Sequence, residues 1–386
     1  MMCRLDISIV IVNYKVKYFL EQTIRSAKEA IGQLKGEIIV IDNNSQDDSC
    51  DYIKRIFPDV ILIENKENKG FGVANNQGFD IAQGEYTLIL NPDTIIGKDT
   101  IADCIALAKR HNNCGGIGVC MHDGNGRFLP ESKRSFPTPW VSFCKIFGLS
   151  SLFPYSPRFA KYHLRYLPND QVHPIDILSG AFTFVRTDTL REVNGFDEDF
   201  FMYGEDIDLS FRIAQSGRQN YYLPTPIIHY KGESTQKNSY KYVRVFYEAM
   251  TIFFKKHYPH FSRAYSVLIT FAINLRSAMS MASRFVKKLM PAQKAGIPAY
   301  KRIIVVSKNN YDVIQNKINW EYSEISKIEQ LDKLTTLPDD STMVVIDNTS
   351  SSYDATVRFI CSHYREGLDF ATYLSEAGVI ISPKMA

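Results

Sequence analysis

Ile7-Ser8-Ile9-Val10-Ile11-Val12 runs directly into Asn13-Tyr14, and the same grammar returns three times in the next eighty residues. Glu37-Ile38-Ile39-Val40-Ile41 leads to Asp42-Asn43-Asn44-Ser45, Val60-Ile61-Leu62-Ile63 to Glu64-Asn65, and Tyr86-Thr87-Leu88-Ile89-Leu90 to Asn91-Pro92-Asp93-Thr94. Helix-length segments lie between them, at 16–30, 46–57 and 73–83. Short, continuous, β-branched runs separated by helices indicate βαβ units and a parallel sheet buried on both faces. In such an open sheet, ligands bind beyond the carboxyl ends of the strands. Here that rim collects carboxylates, amides and glycines from four strands. Each alone is explained by helix capping, as Asp42 to Ser45 before the helix near Gln46; four together favour a ligand edge.

Outward from this core, the chain divides by composition. It has 386 residues, 45% apolar and 23% charged, which fits a folded globular protein of about two domains. From Gly118 to Pro174 it is rich in Pro, Ser and aromatics and reads as long loops with short helices. Ile175 to Val185 reads as one strand, Thr187 to Val193 and Glu205 to Gln215 as helices, and Tyr221 to Ile228, with Pro224 and Pro226, as edge structure. The net charge is +3, yet Thr251 to Arg302 carries ten Lys/Arg and no Asp or Glu, leaving 35 basic against 42 acidic residues elsewhere. Placed at ~100° per residue, Leu275 to Leu289 puts its apolar side chains on one arc and Arg276, Arg284, Lys287 and Lys288 on the other. That predicts a basic amphipathic helix over 263–290, suited to an anionic membrane surface or to packing against the domains. Nucleic acid is disfavoured, because stacking aromatics are not interleaved with the charges. Strands at Arg302–Ser307, Met343–Asp347 and Gly378–Ser382, with a helix over Ser351–Arg365, predict a small α/β unit. The expected division is 1–250, a basic linker 251–300, and 301–386. Seven scattered cysteines without a C-x-x-C pair exclude a disulfide framework or zinc site and fit a reduced cytoplasmic setting. No signal peptide is expected, and no apolar run reaches the roughly twenty residues needed to span a bilayer.

Two clusters carry chemistry. Asp93, after a buried strand and Pro92, is placed to hold Mg²⁺ or Mn²⁺, which take oxygen ligands and bridge phosphates. Gly70 and Gly72 precede a helix whose N-terminus can face an anion. In Tyr203-Gly204-Glu205-Asp206-Ile207-Asp208, three carboxylates open a helix; one of them can take a proton from a hydroxyl. His229, near a divalent ion, becomes a ligand candidate.

The ordered set Ser8 to Tyr14, Ile41 to Ser45, Asn68 to Asn76, Leu90 to Asp93, Ser179 to Ala181, Gly195 to Glu198 and Tyr203 to Asp208 resembles the family 2 glycosyltransferases of GT-A fold. Within that family it is similar to the bacterial rhamnosyltransferases. The resemblance spans about residues 6 to 235. It implies a Rossmann-type α/β sandwich with a mostly parallel sheet, and an inverting transfer from a nucleotide-sugar, dTDP-rhamnose or a UDP-sugar. The acceptor it implies is a hydroxyl of a cell-surface or lipid-linked glycan. It implies a nucleotide-sugar site of Asn13, Asp42, Asn44, Gly70, Phe71, Asn75, Asn91 and Asp93, with Asn13 and Asp42 around base and ribose. It further implies a metal at Asn91, Asp93 and His229, and Asp206 as general base with Glu205 beside it. Asn91 departs from the Asp-x-Asp pattern and leaves one carboxylate, which bears on how strictly the metal is required. A nucleotidyltransferase would need a basic Gly-rich loop after the first strand, where Asn13-Tyr14-Lys15 stands. A non-catalytic binding module is disfavoured by Asp93, Glu205 and Asp206 together. The expected location is the cytoplasm, peripheral on the inner face of the membrane.

Overall fold

Strand β1 (Leu5–Asn13) shows why the sheet is two-sided: Ile7, Ile9 and Ile11 enter one core, and Val10 and Val12 the other. The same alternation runs through β2 (Gly36–Asp42), where Ile38 and Val40 oppose Ile39 and Ile41. Helix α1 (Lys17–Ile31) covers the first face with Leu20, Ile24 and Ala27. Helix α3 (Phe71–Ile81) covers the second with Ala74 and Phe79. Fully burying each such aliphatic side chain contributes about 1.5–3 kcal/mol.

The computed structural model describes residues 5–231, 240–259, 299–334, 336–338 and 341–383. Helix α2 (Ser49–Ile56) and strands β3 (Ile61–Glu64) and β4 (Gly84–Leu90) complete the N-terminal βα units. Then come β5 (Thr94–Ile96), α4 (Thr100–Arg110), β6 (Cys114–His122), α5 (Pro139–Ile146), α6 (Leu149–Leu152), β7 (His173–Ile175), β8 (Phe182–Arg186), α7 (Thr187–Glu192), α8 (Glu205–Gln215), β9 (Gln219–His229) and α9 (Tyr240–His257). The sheet order is β3-β2-β1-β4-β8-β6-β9-β5, with β7 on β9. Strands β1 to β4 are mutually parallel, whereas β8 is antiparallel to both β4 and β6. This is the α/β sandwich with a mostly parallel sheet that the resemblance implied.

Two expectations are corrected. Residues 175–185 do not form one strand: β7 ends at Ile175 and β8 begins at Phe182. The amides between them serve other partners, Leu178 donating to Ser210 Oγ and Gly180 to Asp206 Oδ2. Nor is 221–228 an edge, because β9 lies between β6 on one side and β5 and β7 on the other. Its prolines are accommodated by a register shift: Val119 faces Leu223 and Cys120 faces Pro226. Proline lacks the ladder N–H, and a bulge is where a sheet interior tolerates it.

Helix α9 crosses position 250 and packs Ala249, Met250, Phe253 and Phe254 against Ile177, Phe200 and Ile207. The expected basic helix over 263–290 lies outside the described residues. No helix among the described residues is long and apolar enough to cross a membrane.

The tail is a second sheet, β11-β10-β12-β13-β14, made of β10 (Ala299–Val306), β11 (Glu321–Ile328), β12 (Thr342–Asp347), β13 (Leu368–Leu374) and β14 (Val379–Ile381). Strands β11 and β13 were not anticipated. One face of it, with Ile304, Val306, Val344 and Ile346, shares a hydrophobic cluster with Ile95 of β5 and with Ile228 and Tyr230 at the end of β9. Polar ties reinforce the joint. Gln22 Nε2 donates to Thr372 Oγ1 at 2.6 Å, and Glu29 accepts the amides of Tyr353 and Asp354 at the start of the helix Tyr353–Ser362.

Candidate active site

The rim begins with a buried lattice. Asn13 Nδ2 donates to Asp42 Oδ1 at 2.7 Å and to Ser45 Oγ at 3.1 Å; the Ser45 amide and hydroxyl both donate to Asp42. Asn13 and Asp42 are buried. Their measurable work is to tie the ends of β1 and β2 together. The tail builds the same device at Asp347, which accepts hydrogen bonds from Ser307, Asn310, Thr349 and Ser350. A carboxylate at a strand end therefore fixes a loop in both sheets.

Asn43 carries that order to the next loop. Its Nδ2 donates to Asn68 Oδ1 and the Gly70 carbonyl, and its Oδ1 accepts from the Lys69 amide. Gly70 has φ +87°, and a Cβ there would lie 2.5 Å from the Phe201 carbonyl oxygen. Only glycine lets the loop before α3 meet the loop before α8 so closely, where the Phe71 amide donates to Phe201. Asn75 is buried and donates to the Phe71 carbonyl. Asn44 sits half-buried at φ +64°.

Asn91-Pro92-Asp93 is pinned at both ends. The Asn91 amide donates to Ala181, and Thr23 Oγ1 donates to the Pro92 carbonyl. Pairing of β5 with β9 sets Thr94 opposite His229. His229 Nε2 thus lies 3.3 Å from Asp93 Oδ1 and 3.4 Å from Asn91 Nδ2. His229 Nδ1 is buried without a protein partner. A carboxylate and an imidazole side by side, with the Asn91 side-chain amide next to the imidazole, are donors that fit a divalent cation, Mn²⁺ better than Mg²⁺ because of the nitrogen donor.

Helix α8 begins after Gly204 at φ +85°. Its three acidic residues have separate fates. Asp208 is fully buried and structural, held by Arg212 and by His257 Nε2 at 2.6 Å. Asp206 accepts from Arg134 Nη2 at 2.5 Å, from the Gly180 amide and from the Ile207 amide. Glu205 is buried and its Oε2 has no partner. Burial first, then the neighbouring Asp206 charge, push its carboxyl up to about 8. One carboxyl of the pair is thus held as an acid near neutrality while the other is ion-paired.

Arg134, Lys145 and Lys231 add a cationic wall. Burial works against the Arg134 charge, but Asp206 outweighs it and the guanidinium is held above its usual range. The Lys145 stem is exposed, yet its ammonium rests 3.4 Å from the centre of the Tyr162 ring. Burial of that ammonium and the nearby Arg134 lower it to about 7. Lys231 pairs with Glu131, which holds that carboxyl below its usual value against the effect of burial. Burial, Lys145 and Arg134 push His163 down to about 3, so its ring is neutral.

One cavity of about 380 Å³ joins these parts. Phe71, Asn91, Pro92 and His229 line it together with Glu205, Asp206, Arg134, Lys145 and Tyr162. Of the residues expected from sequence, Phe71, Asn91, Glu205, Asp206 and His229 line it directly. Asp93, Asn13, Asp42 and Asn75 are buried and do not line it, Asp93 lying 3.3 Å from the lining His229. Sequence reading missed Tyr14, Asn43, Asn68, Glu131, Arg134, Lys145, Tyr162 and Lys231 as lining groups. Tyr14, Asn43 and Asn68 lay within segments already singled out, and Lys231 stands two residues after His229; Arg134 and Lys145 came from a stretch without periodicity and carried no signal.

Residues 8–184 match the model of glycosyl transferase family 2. The chain is 26% identical over 270 residues to the N-acetylglucosaminyl-diphospho-decaprenol L-rhamnosyltransferase of Mycobacterium tuberculosis, covering 66% of this chain and 86% of that protein. It is 31% identical over 170 residues to the rhamnosyltransferase WbbL of Escherichia coli, covering 42% and 61%. Among solved structures it is similar to TarS 1-349 of S. aureus, with a TM-score of 0.43 and 19% identity, covering 64% of each chain. The chain spans less than two thirds of the length of the latter two.

Proposed function

We propose, from the match of residues 8–184 to the model of glycosyl transferase family 2, that the chain moves a sugar from a nucleotide-sugar to a hydroxyl of a lipid-linked glycan with inversion. The observation that supports this reading is that Asn91, His229, Glu205 and Asp206 line the same cavity. The rhamnosyltransferase relatives favour dTDP-rhamnose as donor, with a UDP-sugar as the second candidate, and the diphospho-decaprenol relative favours a lipid-linked acceptor.

In this mechanism the acceptor oxygen attacks C1 of the donor sugar as the C1–O bond to the diphosphate breaks. Asp206 takes the hydroxyl proton, because an unassisted sugar hydroxyl is a poor nucleophile near neutral pH. Arg134 and the Gly180 amide fix the orientation of that carboxylate. Glu205, protonated near neutrality, adds no second negative charge beside it. Asn91, Asp93 and His229 would hold a divalent cation, which when bound supplies positive charge to the leaving diphosphate. Lys231 and Lys145 supply the same sign from the protein itself, aimed at the charge that develops on the leaving group. The Asn43–Asn68–Gly70 lattice and Phe71 position the nucleotide end. Peripheral attachment to the inner face of an anionic membrane completes the reading.

The test is nucleoside-diphosphate release across a donor panel, with and without Mn²⁺. One donor should turn over, and Asp206→Asn should slow transfer by about 10²–10⁴-fold with donor affinity retained. Equal rates for the two proteins would remove Asp206 from the proton-transfer role.

A further inference from the structure

The outer side of the segment that walls the cleft is unusually apolar. Leu152 is 69% exposed and Tyr155 77%, with Trp140, Phe147 and Phe153 between 44% and 46%. These are not scattered singles. Ring centroids follow one another from Phe147 to Phe143 at 4.5 Å, to Trp140 at 5.7 Å, to Phe159 at 6.2 Å and to Phe153 at 5.3 Å. A contiguous exposed apolar patch marks a binding surface. Its charge is one-sided: from Lys133 to Pro168 the sequence has no Asp or Glu, and of its six Lys/Arg, Lys133 and Arg134 are buried and Lys145 lines the cavity, which leaves Arg158, Lys161 and Arg165 for the surface. Arg158, Lys161 and Arg165 are exposed beside the aromatics.

We infer that the ridge spanning Trp140 to Tyr155 seats the protein on an anionic lipid surface. Trp, Tyr, Phe and Leu flanked by Lys and Arg suit the boundary between headgroups and acyl chains, and each basic residue gains from an anionic surface potential. A second copy of this chain is disfavoured as the occupant, because apposing two patches whose exposed charges, Arg158, Lys161 and Arg165, are all basic brings like charges together. The ridge is also continuous with the cleft: α5 bears Trp140 outward and Lys145 into the cavity, and Tyr162 and His163 line the cavity just after Arg158 and Phe159. A lipid-anchored acceptor would therefore approach Asp206 from the membrane side. That last consequence rests on the lipid-linked reading above; the seating itself does not.

The test uses the full chain and the variant L152S/F153S/Y155S, none of whose positions lines the cavity. Co-sedimentation is measured with neutral phosphatidylcholine vesicles and with vesicles containing phosphatidylglycerol. The wild type should bind the anionic vesicles in a salt-sensitive way, and the variant should bind at least ~10-fold more weakly, three apolar side chains having been lost. Donor turnover without vesicles should be equal in the two proteins, which shows that the variant is folded. Equal vesicle binding by both proteins overturns the proposal. So does a wild type that binds neither vesicle, or a variant that loses self-association rather than vesicle binding. If the variant loses vesicle binding while neither protein turns over any donor, the transferase reading fails and the lipid seat stands; matching circular dichroism then serves as the folding control.

Discussion

Glu205→Gln should stabilise the protein, and by more as the pH rises. Glu205 is buried, one carboxyl oxygen has no partner, and Asp206 sits next to it. Burial and that neighbour lift the group from 4.5 to about 8. Between those two values the folded chain keeps a proton that the unfolded chain has released. Wild-type stability therefore falls as pH rises through this window, by up to about 1.4 kcal/mol per pH unit. Glutamine has no proton to lose, so this term vanishes in the variant. The advantage of the variant should be small at pH 5 and grow to roughly 3–5 kcal/mol by pH 8. Urea unfolding of both proteins at pH 5, 6, 7 and 8 measures it, provided the unfolding slope m is unchanged. The diagnostic is the pH trend of the difference rather than its sign at one pH. A difference that stays flat across the range would mean that Glu205 titrates alike in both states, and the acid assigned to this cleft would be lost with it.

Other outcomes follow from the same geometry. Gly70→Ala places a methyl 2.5 Å from the Phe201 carbonyl at φ +87°; it should cost about 1–3 kcal/mol in thermal unfolding and raise KM for the donor more than it lowers kcat. Lys145 carries its charge below about 7, so pyrophosphate inhibition should weaken between pH 6 and pH 8, and Lys145→Met should flatten that profile; an unchanged slope in the variant would clear Lys145 of anion binding.

How much was legible in the sequence depends on whether local signals sufficed. Strands β1 to β4 were, because continuous β-branched runs between helices fit little besides buried parallel strands. The rim was legible for the same reason: polar residues directly after those runs must stand at the strand ends. Residues 175–185 deceived, because Ile177 and Leu178 look like strand residues while the amides of Leu178 and Gly180 are bound by side chains of α8, some thirty residues ahead. Strand β9 deceived through Pro224 and Pro226, whose bulge opposite β6 exists only in the assembled sheet. Arg134 and Lys145 were illegible because their importance comes from Asp206 and Tyr162, met only on folding. Asn13 and Asp42 were expected around base and ribose; in the fold they are buried, tie the ends of β1 and β2 together and do not line the cavity.

The wall behind Asp93 and His229 is not the first domain's alone: Ile95 and Ile228 face the hydrophobic side of the tail sheet. Head and tail are in that sense a fitted pair, like a lens and its mount. Thinning the mount, as Val344→Ala or Ile346→Ala would, lets β5 and β9 drift against each other while the rest of the sheet keeps its register. Such a lesion would surface as weakened ion or donor capture, and it would mimic damage to residues that remain intact. Grafting this head onto a foreign tail would then require recutting the seam at Ile95, Ile228 and Tyr230 before any change in sugar preference could be read.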